Sequence, residues 1–291
     1  MELKQSKRSN VKLRIGISGA SGFGKTYSAL QLAYGMTKDW SKIAVIDTEN
    51  SSASLYSDLG NFNVLDLSAP YSPHRYIEAI SICEKAGISV CIIDSVSHEW
   101  SGTGGCLQIH EQLGGRFQDW AKVTPQHQAF IDKILQSSCH IITTTRRKID
   151  YSMDIGSNGR AKVVKHGTKE ITREGFEYEL TINFEIINEN HLSKASKDRT
   201  GLFMNKPEFV INSAIGKKLI EWSGESHSKE DILNHINECL SVSELMKLYK
   251  DNPGFQKTLN ADFIKKKEQL ENLVKQPKHS QNGTYNSNPK Q

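Results

Sequence analysis

The chain has 291 residues, of which 37% are hydrophobic and 24% charged, with a formal net charge of +4. That length accommodates one sizeable core plus a small appendage, and a charge so near balance selects no partner by itself. No run approaches the ~20 apolar residues of a membrane-spanning helix, and the charged start from Met1 to Arg8 has no apolar stretch behind it, so a cytoplasmic protein without a membrane partner is expected.

After residues 1–10, expected to be flexible, the apolar run Leu13 to Ile17 predicts a strand and Tyr27 to Met36 a helix. Between them Gly19, Ala20, Ser21, Gly22, Phe23, Gly24, Lys25 and Thr26 spell the phosphate-gripping pattern G-x-x-x-x-G-K-[ST], in the strand-to-helix context its mechanism needs. Glycines let the backbone wrap a phosphate chain with N–H groups pointing inward, at a helix start whose partial positive charge favours anions. Lys25 is expected to reach the β- and γ-phosphates and the Thr26 hydroxyl to ligate Mg²⁺, with Tyr27 closing the nucleotide-binding set.

Lys42 to Asp47 predicts a second strand, whose end carries two acids on one side, Asp47 and Glu49. Either could position the water that attacks a phosphate, and Glu49 is the favoured one. A strand over 62–67 and an amphipathic helix from Ser72 to Ala86 lead to Val90–Asp94, a continuous apolar run of the kind a parallel strand buried on both faces shows. Asp94 closes that run where such sheets open onto their ligands, which makes it the expected partner of Thr26 in holding Mg²⁺. His98 and Glu99, just beyond, are a rival pair for the water-positioning task.

From Ser101 to Gln126 the glycines at 102, 104, 105, 114 and 115 predict a mobile segment around a short helix, anchored by Trp100 and Trp120. It reads as a nucleic-acid loop or a lid over the γ-phosphate. The five cysteines are scattered and form no C-x-x-C pair, which predicts buried reduced thiols; Cys106, His110 and His98 match no zinc spacing. A helix from Gln126 to Gln136 and a strand from Cys139 to Thr145 follow, ending in Thr143, Thr144, Thr145 and Arg146, where a γ-phosphate sensor would stand.

Between Arg146 and Arg173 eight basic residues accompany three acids. Arg146, Arg147, Lys148, Arg160, Lys162 and Lys165, with the turn residues 156–159 and with Tyr151 and Phe176 as stacking groups, describe a loop suited to single-stranded nucleic acid. A solvated surface loop is the plainer alternative. Tyr178 to Ile186 then alternates polar and apolar residues, predicting a half-exposed antiparallel strand, with 191–197 and 209–211 extending that edge and a closing helix over Gly216 to Trp222.

The whole of 11–223 thus predicts an α/β fold, a mostly parallel sheet flanked by helices with antiparallel edge strands. Residues 228–275 predict a small helical appendage. Ser228 opens its first helix, with Ile232, Leu233, Ile236 and Leu240 on one side; a second spans Val242 to Tyr249 and a third about Asn260 to Val274, where Lys265 to Lys267 make one edge basic. The composition of 276–291 predicts a disordered tail.

Asp47-Thr48-Glu49-Asn50, followed by Ser54 to Gly60, resembles the RecA-type recombinase pattern, in which a Glu after this strand activates water. Ala195 to Gly201, containing Lys197 and Arg199, resembles the K-x-R-x-G segment of RecA/RadA-like and DnaB-like ATPases. Together with the phosphate loop and Ile93 to Trp100, these segments make roughly residues 11–223 similar to phage and prophage RecA-like ATP-binding proteins of the single-strand annealing or recombination type. The resemblance implies a RecA-like P-loop core, ATP as the nucleotide, and a homo-oligomer, ring or filament, in which Lys197 and Arg199 act in trans on a neighbour's γ-phosphate. It also implies single-stranded DNA as ligand, a single-strand-binding or replication protein as partner, and the host cytoplasm for a phage-encoded chain.

Cations so placed have a physical rationale, since an arginine finger is worth about 10³ to 10⁵ in rate. A solvated charge cluster in a hairpin turn is the alternative. The expected activity is ATP hydrolysis on single-stranded DNA, while a DNA-independent ATP switch acting on a protein partner and a ring helicase-type motor would use the same site. No RecA-type glutamine sensor is identifiable over 143–160.

Overall fold

A computed structural model of the chain describes residues 6, 11–155, 161–224, 229–252 and 255–275. The expectations for most of 1–10, the turn at 156–159, Arg160, Ser228 and the tail 276–291 lie outside the described residues. The chain divides into two compact units, residues 1–224 and 225–291. No helix of the described residues is long and apolar enough to cross a membrane.

The first unit is built on β1 (Arg14–Gly19), β2 (Ile43–Asp47), β3 (Asn63–Asp66), β4 (Val90–Asp94), β5 (His140–Ile155), β6 (Ala161–Glu170), β7 (Ile182–Ile186), β8 (Leu192–Asp198) and β9 (Phe209–Val210). Its helices are α1 (Lys25–Thr37), α2 (Pro73–Lys85), α3 (Ser97–Ser101), α4 (Cys106–Gln112), α5 (Trp120–Gln136), α6 (Phe176–Glu179) and α7 (Ser213–Ser223). The sheet runs β3-β2-β4-β5-β1-β7-β8-β9, with β6 paired to β5. Strands β3 to β7 along that path are parallel, while β8, β9 and β6 join antiparallel. This is the expected α/β core, a mostly parallel sheet flanked by helices with antiparallel strands joined to it, as a P-loop core has.

Alternation along each buried strand divides the core in two. Ile15, Ile17, Val45, Ile92 and Ile142 face α1 and α7, whereas Ala44, Ile46, Cys91, Ile93 and Ile141 face α2 and α5. Strand β7 departs from expectation: it begins at Ile182, and it is buried and parallel to β1. Its alternation reads as half-exposed, but with β1 on one side and β8 on the other it is an interior strand, and its isoleucines and Phe184 enter the core. Tyr178, read as part of that strand, belongs to α6.

The segment 101–126 is more ordered than its glycines suggest. It folds into α4, a 3-10 turn and the first turns of α5, with Trp100 and Trp120 stacked at 5.6 Å. The basic stretch after residue 145 is likewise not an open loop. Strand β5 leaves the sheet and continues as one arm of an antiparallel hairpin with β6.

Helices α1 and α7 approach backbone to backbone: a Cβ on Gly35 would lie 2.0 Å from the Ser213 carbonyl, and one on Gly216 2.1 Å from the Leu32 carbonyl. Gly35→Val is therefore expected to destabilise the first unit by about 1–3 kcal/mol through overpacking. Chemical denaturation checks this, and an unchanged midpoint would contradict the close approach.

The second unit comprises α8 (Lys229–Glu238), α9 (Val242–Asp251) and α10 (Asn260–Lys275). Ile232, Ile236, Leu245, Leu259, Phe263 and Leu270 form its core. Leu240, expected on the apolar face, lies past the end of α8 and is 86% exposed. The Ser241 hydroxyl caps α9 by accepting from the Glu244 N–H at 3.2 Å.

Candidate active site

The loop joining β1 to α1 turns through Gly22 and Gly24 at φ 81° and 82°, the left-handed region where glycine alone is unstrained. Ser21 and Gly22 are exposed, while Gly24, Lys25 and Thr26 are half-buried. Lys25 Nζ donates to the Ala20 carbonyl at 2.9 Å. Burial lowers its pKa, and the nearby Asp94 and Glu49 carboxylates oppose that shift. Tyr27 is exposed and lies against Tyr56, ring centroids 5.9 Å apart.

His191, on the connection from β7 to β8, places Nδ1 2.9 Å from the Phe23 carbonyl. A carbonyl only accepts, so Nδ1 carries the proton there. A Cβ on Gly24 would come within 2.9 Å of the same nitrogen. Sequence reasoning missed His191 because 168 residues separate it from Phe23 and no motif links them.

At the end of β4 Asp94 is buried. It accepts from Thr26 Oγ1 at 2.6 Å and from Thr144 Oγ1 at 2.5 Å. Burial raises its pKa, and the two hydroxyls pull the other way. A hydroxyl and a carboxylate touching at the mouth of a phosphate loop form the hard-oxygen pair that Mg²⁺ prefers, so Thr26 and Asp94 could hold that ion.

The acids after β2 divide. Asp47 accepts the Glu49 and Ala53 backbone N–H groups at 2.6 and 2.7 Å, which commits both its oxygens to the turn. Glu49 is gripped by Arg146 through Nε at 2.9 Å and through Nη2, and accepts from Ser95 Oγ at 3.2 Å. His98 Nε2 lies 4.0 Å from Glu49, its Nδ1 lies 2.8 Å from Thr48 Oγ1, and its ring stacks on Tyr71. Burial lowers the His98 pKa and favours the neutral ring.

Glu99, the rival acid, points elsewhere. Successive residues of a helical turn project about 100° apart. His98 therefore faces Glu49, while Glu99 is turned to Cys106 and His127, with Oε1 3.0 Å from each contact atom.

Among the basic residues, Arg146 is engaged by Glu49 and Arg147 is drawn inward. Arg147 meets Glu170 and Glu185 at 3.4 Å each and donates to Ser18 Oγ at 3.2 Å. Lys148 is exposed, and Lys162 and Lys165 stand on β6 at the register positions opposite Asp154 and Tyr151. Phe176, expected as a stacking group, is instead buried in the core beneath α5. A cavity of about 920 Å³ beside the hairpin base is lined by five basic and five acidic residues, so its charge balances.

Lys197 and Arg199 are not brought to their own phosphate loop. Both donate to the Tyr178 carbonyl, Arg199 at 2.8 Å, and Lys197 also reaches the Glu177 carbonyl at 2.9 Å. Through Asn183, Lys197 is level with Gly16, three residues before the loop begins and two strands away. That is about 10 Å along the strands and about 10 Å across them.

The model of the AAA domain family matches residues 11–211, which contain every element of this site. None of the curated proteins compared matches the chain. Among solved structures, the chain is similar to a prototypical ATPase from the type III secretion system of pathogenic bacteria, at 13% identity and a TM-score of 0.39, over 79% of this chain and 67% of that one.

Proposed function

Since the chain belongs to the AAA domain family, we propose that it binds ATP with Mg²⁺ and hydrolyses it to ADP and phosphate. The observation that carries this reading is the 2.6 Å hydrogen bond between Thr26 and Asp94 at the mouth of the phosphate loop, with Glu49 beside it. Loop N–H groups from Gly19 to Thr26 cradle the phosphates, and Lys25 leaves the Ala20 carbonyl to neutralise the β- and γ-oxygens. Thr26 and Asp94 would hold Mg²⁺, which would supply charge neutralisation at the phosphates.

Glu49 orients a water against the γ-phosphorus and accepts its proton as the new P–O bond forms and the bond to the β–γ bridging oxygen breaks. It must first leave Arg146, which here occupies both its oxygens. Arg146 is part of β5, the strand that runs on into the hairpin bearing Lys148, Lys162 and Lys165. Single-stranded DNA on that hairpin draws Arg146 outward and frees Glu49, which couples hydrolysis to a recombination or annealing substrate. Lys197 and Arg199 complete a neighbouring subunit's site in a ring or filament.

Purified protein assayed for ATP hydrolysis with and without single-stranded DNA, at low and moderate salt, tests this. Stimulation that weakens with salt is expected, and Glu49→Gln is expected to lose about 10² to 10⁴ in turnover while still binding nucleotide. Normal turnover of that variant would remove Glu49 from the mechanism. A second reading, an ATP switch acting on a protein partner, is favoured by the balanced charge of the cavity and the internal engagement of Arg147; turnover indifferent to DNA would select it.

A further inference from the structure

Behind α3, on the side turned away from Glu49, the chain gathers Glu99, Cys106 and His127 at 1%, 0% and 4% exposure. One donor atom from each lies within 4.8 Å of the other two. We propose that these three side chains form a site for a divalent transition metal of the zinc class.

The donor chemistry points to that class. A thiolate, an imidazole and a carboxylate are the ligands zinc takes, and the sulfur argues against Mg²⁺ or Ca²⁺. Glu99 Oε1 stands 3.0 Å from both Cys106 Sγ and His127 Nδ1, and Oε2 stands 3.1 Å from the same nitrogen. A tetrahedral zinc with bonds of about 2.0–2.3 Å sets its ligands about 3.3–3.7 Å apart. The two separations from Glu99 therefore need to open by a few tenths of an ångström, and the Cys106 and His127 donor atoms lie within 4.8 Å of each other. The histidine ring is already oriented, edge-on to Trp100 at 5.6 Å and to Phe130 at 6.4 Å.

Binding is balanced by one proton. Cys106 gives its thiol proton to solvent, the neutral His127 ring moves the proton that Nδ1 shares with Glu99 over to Nε2 and so frees the Nδ1 lone pair, the Glu99 carboxylate turns to the metal, and water takes the fourth position. A buried carboxylate is costly without a cation, which the metal provides. The ion is structural: it ties α3, α4 and α5 together and so fixes the turn that carries His98 toward Glu49. The separations of seven and twenty-one residues between ligands fit no zinc-finger spacing, so only the fold brings them together.

The full chain, purified without added metal, is analysed for bound zinc, then stripped with chelator and titrated with Co²⁺. About one zinc per chain is expected, together with a thiolate-to-cobalt absorption band and the intense visible bands of a tetrahedral site. Both should be lost in Cys106→Ser and His127→Gln and kept in Cys83→Ser, which removes a buried cysteine outside the cluster. Chelation should lower the melting temperature of the wild type but not of the two ligand variants. If either ligand variant fails to fold by circular dichroism, the wild-type cobalt spectrum decides alone. Absence of the thiolate band, or equal uptake by the Cys106→Ser/His127→Gln double variant, would overturn the proposal and leave a closed hydrogen-bonded trio. None of these readouts depends on ATP turnover, so this site and the ATPase reading stand or fall separately.

Discussion

Lys25→Ala is expected to abolish nucleotide binding. The ammonium is half-buried over the loop and donates to the Ala20 carbonyl, with the Asp94 and Glu49 carboxylates nearby favouring its charged form against burial. A hydrogen bond to a charged group contributes about 1.5–3 kcal/mol, and the three ammonium donors can address two phosphates, so the affinity should drop about 10²-fold or more. Turnover should drop with it. Titration with a fluorescent ATP analogue checks the first effect and phosphate release the second, with the melting temperature as a control for folding. Unchanged affinity would mean that nucleotide does not sit in this loop.

Arg199→Ala should behave in the opposite way, binding ATP normally and losing about 10³ or more in turnover, with Lys197→Ala in the same direction. Neither side chain can serve its own chain, since Lys197 lies two strands and several residues from the loop that would hold the phosphates. The carbonyls of Glu177 and Tyr178 hold both cations on the antiparallel edge, and Arg199 is exposed there. A test specific to action in trans is to mix Arg199→Ala with Lys25→Ala protein. Each supplies what the other lacks, so partial turnover should return. If Arg199→Ala turns over ATP at the wild-type rate, the two residues are only a solvated pair.

The phosphate loop was legible because its chemistry is contiguous: eight residues carry both the glycines and the ligands. Strands β1, β2 and β4 were legible because burial on both faces leaves an unbroken apolar run. Strand β7 misled because alternation reports one strand's faces and says nothing of the neighbours at its edges. The hairpin was hidden by Arg146 to Asp150, whose charges read as loop, although paired antiparallel strands carry charges readily on an exposed ribbon.

At the site, that His98 faces Glu49 while Glu99 faces Cys106 and His127 follows from the direction of one helical turn, which spacing alone does not give. The partnership of Glu49 with Arg146 spans 97 residues, and that of His191 with the loop spans 168. Such contacts belong to the topology of the sheet and leave no local mark.

Strand β5 is hydrogen-bonded along its whole length, first between β1 and β4 and then to β6. A strand held in this way cannot slip by one residue, because a slip would turn every inward side chain outward. In the proposed coupling a pull on the hairpin would therefore reach Thr144 and Arg146 as tilt, like the motion of an oar in its lock, and the angle of that swing would set how far Arg146 parts from Glu49.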